Sequence, residues 1–93
     1  MSGLFAAMSD PVRVRIFELL AGGGRCVCDL RRDVDVAPNL LSYHLRVLRR
    51  AGLIVGIRRG RWIDYRLAPD SLDRLHAALP SVSPGVVGTE HRP

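Results

Sequence analysis

The chain has 93 residues, which allow one small domain with a single core and exclude two such domains. Hydrophobic residues make up 47% and charged residues 25%, so the composition excludes disorder along the whole chain. No apolar run approaches the ~20 residues needed to cross a bilayer, and no signal-peptide pattern opens the chain. We therefore expect a cytoplasmic protein with no membrane partner, whose two cysteines stay reduced.

The first three predicted elements are helices. An apolar face at residues 4–8 predicts a short helix near the N-terminus. Asp10 and Pro11 predict the start of a second helix, because Asp10 can cap the free amides and proline fits the first helical position. The triple glycine at 22–24 ends this helix, and a third helix is predicted roughly from Cys26 to Val34.

A fourth helix is predicted from near Pro38 to about Arg50. Its apolar positions recur at i, i+4 and i+7: Leu41, Leu45 and Leu48. The short turn at residues 35–37 separates the third and fourth helices closely, as a helix-turn-helix requires. In that motif the second helix enters the major groove of DNA, so the fourth helix is the predicted recognition helix.

A β-hairpin and a last helix complete the predicted domain. Two short strands, 53–57 and 62–67, flank the glycine-containing turn at 58–61. We expect Trp62 and Tyr65 to pack this hairpin onto the body of the domain. A closing helix is predicted from about Pro69 to Ala78.

The predicted fold class is mainly α with a small β-hairpin, a winged helix-turn-helix. Residues 1–80 are expected to form this DNA-binding and sensor domain. Residues 81–93 are rich in Ser, Pro, Gly and Val without periodicity, and we expect a disordered tail.

The positive charge is concentrated in one central block. Residues 36–66 hold seven arginines against Asp64 alone, a net +6, whereas the whole chain carries +5. Such a block favours a surface that meets double-stranded DNA, although a solvated basic face is the alternative. His44 is also compatible with a half-buried structural role. The candidate DNA-binding residues are Asn39, Ser42, Tyr43, His44, Arg46, Arg50, Arg58, Arg59 and Arg61.

The two cysteines, Cys26 and Cys28, are separated by one residue and are candidate metal ligands. In a regular α-helix, residues i and i+2 point about 200° apart, so such a pair cannot grip one ion. Chelation therefore requires the start of the third helix to be extended or distorted, and the preceding glycines make that distortion cheap. The alternatives are that both cysteines are small buried hydrophobes, or that they oxidise to a strained disulfide.

Residues 4–79 resemble the ArsR/SmtB family of metal- and metalloid-responsive transcriptional repressors. The matching stretches are Ser9-Asp10-Pro11-Val12-Arg13, Cys26-Val27-Cys28-Asp29-Leu30, Ser42-Tyr43-His44-Leu45, Ala51-Gly52-Leu53 and the segment 60–67. The resemblance implies a homodimer that binds operator DNA and releases it when an effector binds. It also implies a dimer interface made by the first and last helices, here Leu4, Phe5, Met8, Leu72, Leu75 and Leu79.

The Cys-Val-Cys-Asp-Leu motif looks like the branch of the family that senses arsenite and antimonite. That branch often has a third cysteine where this chain has Arg31. The resemblance thus implies no required cofactor and an effector that is As(III), Sb(III) or an organoarsenical bound by Cys26 and Cys28. Cd(II) or Zn(II) is the alternative effector, with His44, Asp29 or His91 as further ligands.

The sequence holds no paired acid and base and no phosphate-binding glycine loop, so we expect no enzyme activity. A redox-responsive repressor remains a rival within the same fold. A winged-helix protein-interaction module is the rival from another class, and its marker would be an acidic or apolar fourth helix.

Overall fold

The computed structural model describes residues 2–79, which form five helices and three strands. In chain order these are α1 (Ser2–Ala7), α2 (Pro11–Ala21), β1 (Arg25–Cys26), α3 (Val27–Asp33), α4 (Pro38–Arg50), β2 (Ile54–Arg59), β3 (Trp62–Leu67) and α5 (Ser71–Ala78). The predicted winged helix-turn-helix is confirmed, with α3 and α4 as the helix pair and β2–β3 as the wing. The predicted tail, and His91 with it, lies outside the described residues.

Helix α2 begins where the sequence predicts. The Asp10 carboxylate accepts hydrogen bonds from the backbone N–H groups of Val12, at 2.7 Å, and Arg13, at 3.3 Å. Pro11 occupies the first turn, where its missing N–H costs nothing. The start of α2 is thus encoded by two consecutive residues, Asp10 and Pro11.

Helix α4 ends in a glycine-dependent cap. The N–H of Gly52 donates to the carbonyl of Arg49 at 2.9 Å, and the N–H of Leu53 donates to that of Leu48 at 3.0 Å. This pair of bonds is the Schellman motif, which needs a left-handed residue after the helix. Gly52 has φ +77°, which a residue with a Cβ adopts only at a cost.

The core lies between the helices and one face of the sheet. Leu41, Leu45 and Leu48 of α4 are at most 3% exposed, which confirms the predicted apolar face of this helix. They belong to one buried cluster that also contains Ile16 from α2 and Leu30 from α3. The opposite face of α4 is consequently left to solvent.

The wing is part of a three-stranded antiparallel sheet with strand order β1-β3-β2. The third helix, predicted to run roughly from Cys26 to Val34, is observed at Val27–Asp33. The strand before it was not predicted: Arg25 and Cys26 pair with Tyr65 and Asp64 of β3. The predicted four-residue turn is also too long, since β2 continues to Arg59.

The two aromatic residues of β3 face opposite ways. Tyr65 is 7% exposed and packs in the core, as expected. Trp62 is 60% exposed, so the expectation that it packs the hairpin onto the body is wrong. Since side chains alternate along a strand, Trp62 shares the outer face with Asp64, and Tyr65 shares the inner face with Ile63.

Candidate functional site

The outer face of α4 is polar and basic. It exposes the predicted DNA-binding residues of this helix: Asn39, Ser42, Tyr43, Arg46 and Arg50. Because the leucines on the other face are buried, the orientation of α4 is fixed and these side chains point outward together. The amide of asparagine can donate to N7 of adenine and accept from its N6 amino group, and arginine can donate to both O6 and N7 of guanine.

His44 does not belong to this exposed set. The side chain is 4% exposed, and its Nδ1 lies 3.0 Å from Nη1 of Arg13. Because a guanidinium carries only donors, Nδ1 must be the acceptor and its lone pair is occupied. The prediction that His44 contacts DNA is therefore corrected: it is a buried structural histidine.

The wing presents further arginines. Arg58 and Arg61 are exposed near the hairpin tip. Arg59 lies 3.8 Å from the carboxylate of Asp64, which also accepts a hydrogen bond from Arg66 at 3.0 Å. Asp64 therefore neutralises part of the charge at the base of the wing and leaves the tip basic.

The cysteines lie at the junction of β1 and α3, a segment we call the thiol junction (residues 25–28). Cys26 has extended backbone angles, φ −83° and ψ 169°, and directly precedes the first turn of α3. This is the extended start that chelation by an i, i+2 pair requires. Both thiols are free, Cys26 half-buried and Cys28 exposed, so neither is a fully buried core cysteine.

Both cysteines line one surface hollow, whose other lining residues are Val27, Arg61, Trp62, Ile63 and Tyr65. Two soft sulfur donors on one mainly apolar hollow suit a thiophilic ligand. Within residues 2–79, no group of three or more His, Cys, Asp or Glu side chains could hold a metal ion. Of the further ligands suggested by sequence, Asp29 is paired with Arg32 at 3.1 Å and His44 with Arg13.

An apolar groove lies between α1 and α5. It is lined by Phe5, Met8, Leu72, Leu75, His76 and Leu79. Leu72 and Leu79 are 60% and 52% exposed, respectively, and with the exposed Phe5 they form one apolar patch, which is more informative than a single exposed leucine. Leu4, assigned by resemblance to the same interface, is only 8% exposed and belongs to the core of its own chain, so that assignment is corrected.

Two arginines tie these outer helices to α4, and sequence reasoning missed both roles. Arg74 of α5 donates to the carbonyls of Gly52 at 2.6 Å and Ala51 at 3.0 Å, at the C-terminus of α4. Arg13 contacts His44 of α4 and also donates to the carbonyl of Ala7 in α1 at 2.7 Å. The side chains of Arg74 and Arg13 thus link the apolar groove between α1 and α5 to helix α4.

In the described part of the chain, no helix has the length and apolar character needed to span a membrane.

Comparisons with known proteins agree with this architecture. Residues 10–55 match the family model "Bacterial regulatory protein, arsR family". The chain is 35% identical over 80 residues to the arsenic resistance transcriptional regulator ArsR1 of Pseudomonas putida, covering 85% of this chain and 62% of that protein. It is 39% identical over 72 residues to the arsenical resistance operon repressor of Bacillus subtilis, covering 76% of this chain and 69% of that protein.

A solved structure is similar in fold as well. The homodimeric winged helix-turn-helix DNA-binding domain of a possible ArsR-family regulator from Mycobacterium bovis superposes with a TM-score of 0.73 at 29% identity, covering 82% of this chain and 70% of that one. The chain spans about three fifths of the length of several curated relatives that it matches. The extent of these matches, over both motif and fold, shows that the chain belongs to the ArsR family of bacterial regulatory proteins.

Proposed function

We propose that the chain is a homodimeric transcriptional repressor that leaves its operator when a trivalent arsenical binds Cys26 and Cys28. The observation that carries this proposal is the position of the two thiols. They share one hollow at the point where the edge strand of the wing sheet becomes the first helix of the helix-turn-helix. A ligand there would act on both DNA-facing elements at once.

The DNA-binding part of the proposal rests on the exposed basic surface. Helix α4 would enter the major groove with Asn39, Ser42 and Arg46 toward the bases, while Arg58 and Arg61 of the wing contact phosphates or the minor groove. Tyr43, Arg50 and Arg59 are also exposed and complete the proposed contact set.

The homodimer is supported by the exposed groove between α1 and α5. A second copy would cover Phe5, Leu72 and Leu79, whose exposure to water is unfavourable. Two recognition helices about 34 Å apart would then meet successive major grooves of a near-palindromic operator.

The coupling between thiols and DNA follows from the local backbone. Cys26 is held in β1 by its pairing with β3, while Cys28 is already in the first turn of α3. If both sulfur atoms are to bond to one arsenic atom, strand β1 must shift relative to β3 or the first turn of α3 must unwind. Either movement changes how the wing and the helix pair sit relative to each other, and therefore weakens the fit to DNA.

An arsenical is a better match than Cd(II) or Zn(II). Zinc sites in proteins use four ligands, or three and a water, whereas the described residues supply two thiolates and no third candidate close by. A trivalent arsenical forms three bonds and can carry its own third substituent. Two thiolates are therefore enough for it.

The test is fluorescence anisotropy of the protein on its own promoter DNA, titrated with arsenite, phenylarsenous acid, Cd(II) and Zn(II). We expect an arsenical to release the wild-type protein from DNA. The Cys26→Ser/Cys28→Ser variant should bind the same DNA and remain bound at every concentration of each ligand.

Two results would contradict the proposal. If an arsenical releases the double-serine variant as well, the thiols are not the sensor. If the wild-type protein does not bind the promoter at all, the winged fold serves protein interaction instead.

A further inference from the structure

Resting on the proposed function, we infer that the effector is an organoarsenical with an aromatic substituent, which packs on the exposed indole of Trp62. The two thiols hold the arsenic, and Trp62 selects the group attached to it. Trp62 then becomes a specificity-determining residue of the wing.

The strand register places Trp62 beside Cys26. Cys26 is opposite Asp64 in the antiparallel pair of β1 and β3, and Trp62 lies two residues before Asp64 on the same face of β3. Such a diagonal neighbour is about 7–8 Å away, which is within reach of an aromatic side chain. The indole and the Cys26 thiol therefore share one patch of the outer sheet surface.

The hollows on the protein surface agree with the β1–β3 strand register. Cys26 and Trp62 together line two hollows. The first hollow also contains Cys28 and is otherwise mainly apolar, with Ile63 and Tyr65 on its wall. The second is polar and contains Asp29, Asp64 and three other residues. Since Trp62 lines the same hollow as both cysteines, a ligand bound to the two thiols would lie beside this residue.

Trp62 has no other evident role in the described fold. It is 60% exposed and contributes nothing to the buried cluster, although it is the only tryptophan of the chain. An aromatic group stacked on it would remove apolar area of both rings from water and add a ring–ring contact. The site therefore offers more to an aryl substituent than to a methyl or hydroxyl group.

The chemistry of phenylarsenous acid, C6H5As(OH)2, matches this site. Two S–H bonds and two As–O bonds break, two As–S bonds form, and two water molecules leave. Arsenic stays trivalent and keeps its bond to carbon, so no oxidant or reductant is needed. Inorganic arsenite, As(OH)3, would keep one hydroxyl after the same two steps and turn a hydrated group toward the indole.

The experiment measures arsenical affinity without DNA. The reduced full chain is incubated with phenylarsenous acid, methylarsenous acid or arsenite, and the unprotected thiols are then counted with a maleimide. Fluorescence of Trp62 is recorded in parallel, since it reports contact with the ligand directly. We expect the phenyl compound to bind about tenfold more tightly than the methyl compound and to change the tryptophan emission most.

Three variants assign the preference to one side chain. Trp62→Ala should lose the roughly tenfold preference and bind both compounds alike, whereas Trp62→Phe should keep most of it. Ile57→Ala, at a wing residue that is also exposed, is the matched control and should behave as wild type. Circular dichroism should show that all three variants remain folded, because the substituted side chains lie at the surface.

The outcomes separate this inference from the proposed function. Equal affinity of the wild-type protein for the phenyl and methyl compounds, or an undiminished preference in Trp62→Ala, overturns the role of Trp62 but leaves the thiol sensor intact. If no arsenical protects both thiols, the inference and the proposed effector fall together.

Discussion

Helix α4 and the thiol junction differ in what holds them in place. Helix α4 has thirteen residues, three leucines almost fully buried, and a glycine cap formed with its own neighbours. The thiol junction is held by two residue pairs with β3, a strand far along the chain, and by the Arg25 side chain, which bonds to the carbonyl of Leu19 and pairs with Asp33. Cys28 is exposed. In the proposed function, the well-anchored helix α4 contacts DNA, and the less extensively packed thiol junction is the part that a ligand displaces.

The largest effect should come from breaking the packing of α4. Leu45→Ala removes a side chain that is 3% exposed and leaves a cavity, so we expect a loss of about 2–5 kcal/mol in the free energy of unfolding. The control is Leu40→Ala, in the same helix but at a position that is 42% exposed. This substitution should change the free energy of unfolding by at most about 0.5 kcal/mol. Urea denaturation measures both, and equal losses would show that the helix is not anchored by this face.

The next effect concerns the stability of the two regions within the native protein. Amide hydrogens of Arg25 and Cys26 should exchange on the order of 100-fold faster than those of Leu45 and Leu48, because a two-residue edge strand opens locally. Hydrogen exchange followed by mass spectrometry or NMR measures this difference. Uniform protection across both regions would contradict the contrast drawn between them.

A smaller effect should distinguish the binding of operator DNA from the binding of an arsenical. Arg46→Ala should reduce affinity for the operator by about 1–3 kcal/mol, because it removes a base or phosphate contact from α4. The protein should still bind an arsenical as wild type does, since the thiol junction is unchanged. Arg15→Ala, an exposed arginine of α2 outside the basic block, is the matched control. Unaltered operator affinity in Arg46→Ala would mean that α4 does not face the groove as proposed.

The smallest effect tests a second locally encoded element, the start of α2. Asp10→Ala should lower the free energy of unfolding at neutral pH, because two capped N–H groups lose their acceptor. Desolvation raises the pKa of Asp10, but the hydrogen bonds from Val12 and Arg13, together with the nearby charges of His44 and Arg13, hold the net pKa below the ordinary value.

A lowered pKa gives this cap a defined pH dependence. The contribution of Asp10 is complete above its pKa in the unfolded chain, about 3.9, and is lost as the pH falls through the lower folded value. The stability difference between wild type and Asp10→Ala should therefore shrink below about pH 4. A constant difference from pH 7 to pH 2 would show that the carboxylate charge is not what caps the helix.

The difference between local and long-range contacts explains which elements could be predicted from the sequence. The bounds of α4 and the cap of α2 were predictable, because periodic leucines, a proline and a capping aspartate act within a few residues of each other. Strand β1 was not, since two residues carry no periodicity and the pairing that defines the strand involves residues 64–65.

The parts of the site were predictable more readily than their arrangement. Cys26 and Cys28 were identified from their types and spacing, but their proximity to Trp62 depends on the β1–β3 register. The bond of Arg13 to His44 has no sequence signal at all, and it turns a candidate DNA contact into a buried partner. Leu4 was assigned to the interface by resemblance, and the sequence does not distinguish the residues of a short apolar helix that face a partner from those that face its own core.

In the proposed function the thiol junction and the DNA surface are energetically coupled, and a single thermodynamic cycle measures that coupling. The affinity for phenylarsenous acid is measured by thiol protection on the free protein and on the protein saturated with operator DNA. Because coupling is reciprocal, the arsenical should bind the DNA complex more weakly by the same factor by which it weakens DNA binding. Equal arsenical affinity with and without DNA would show that Cys26 and Cys28 do not control the operator.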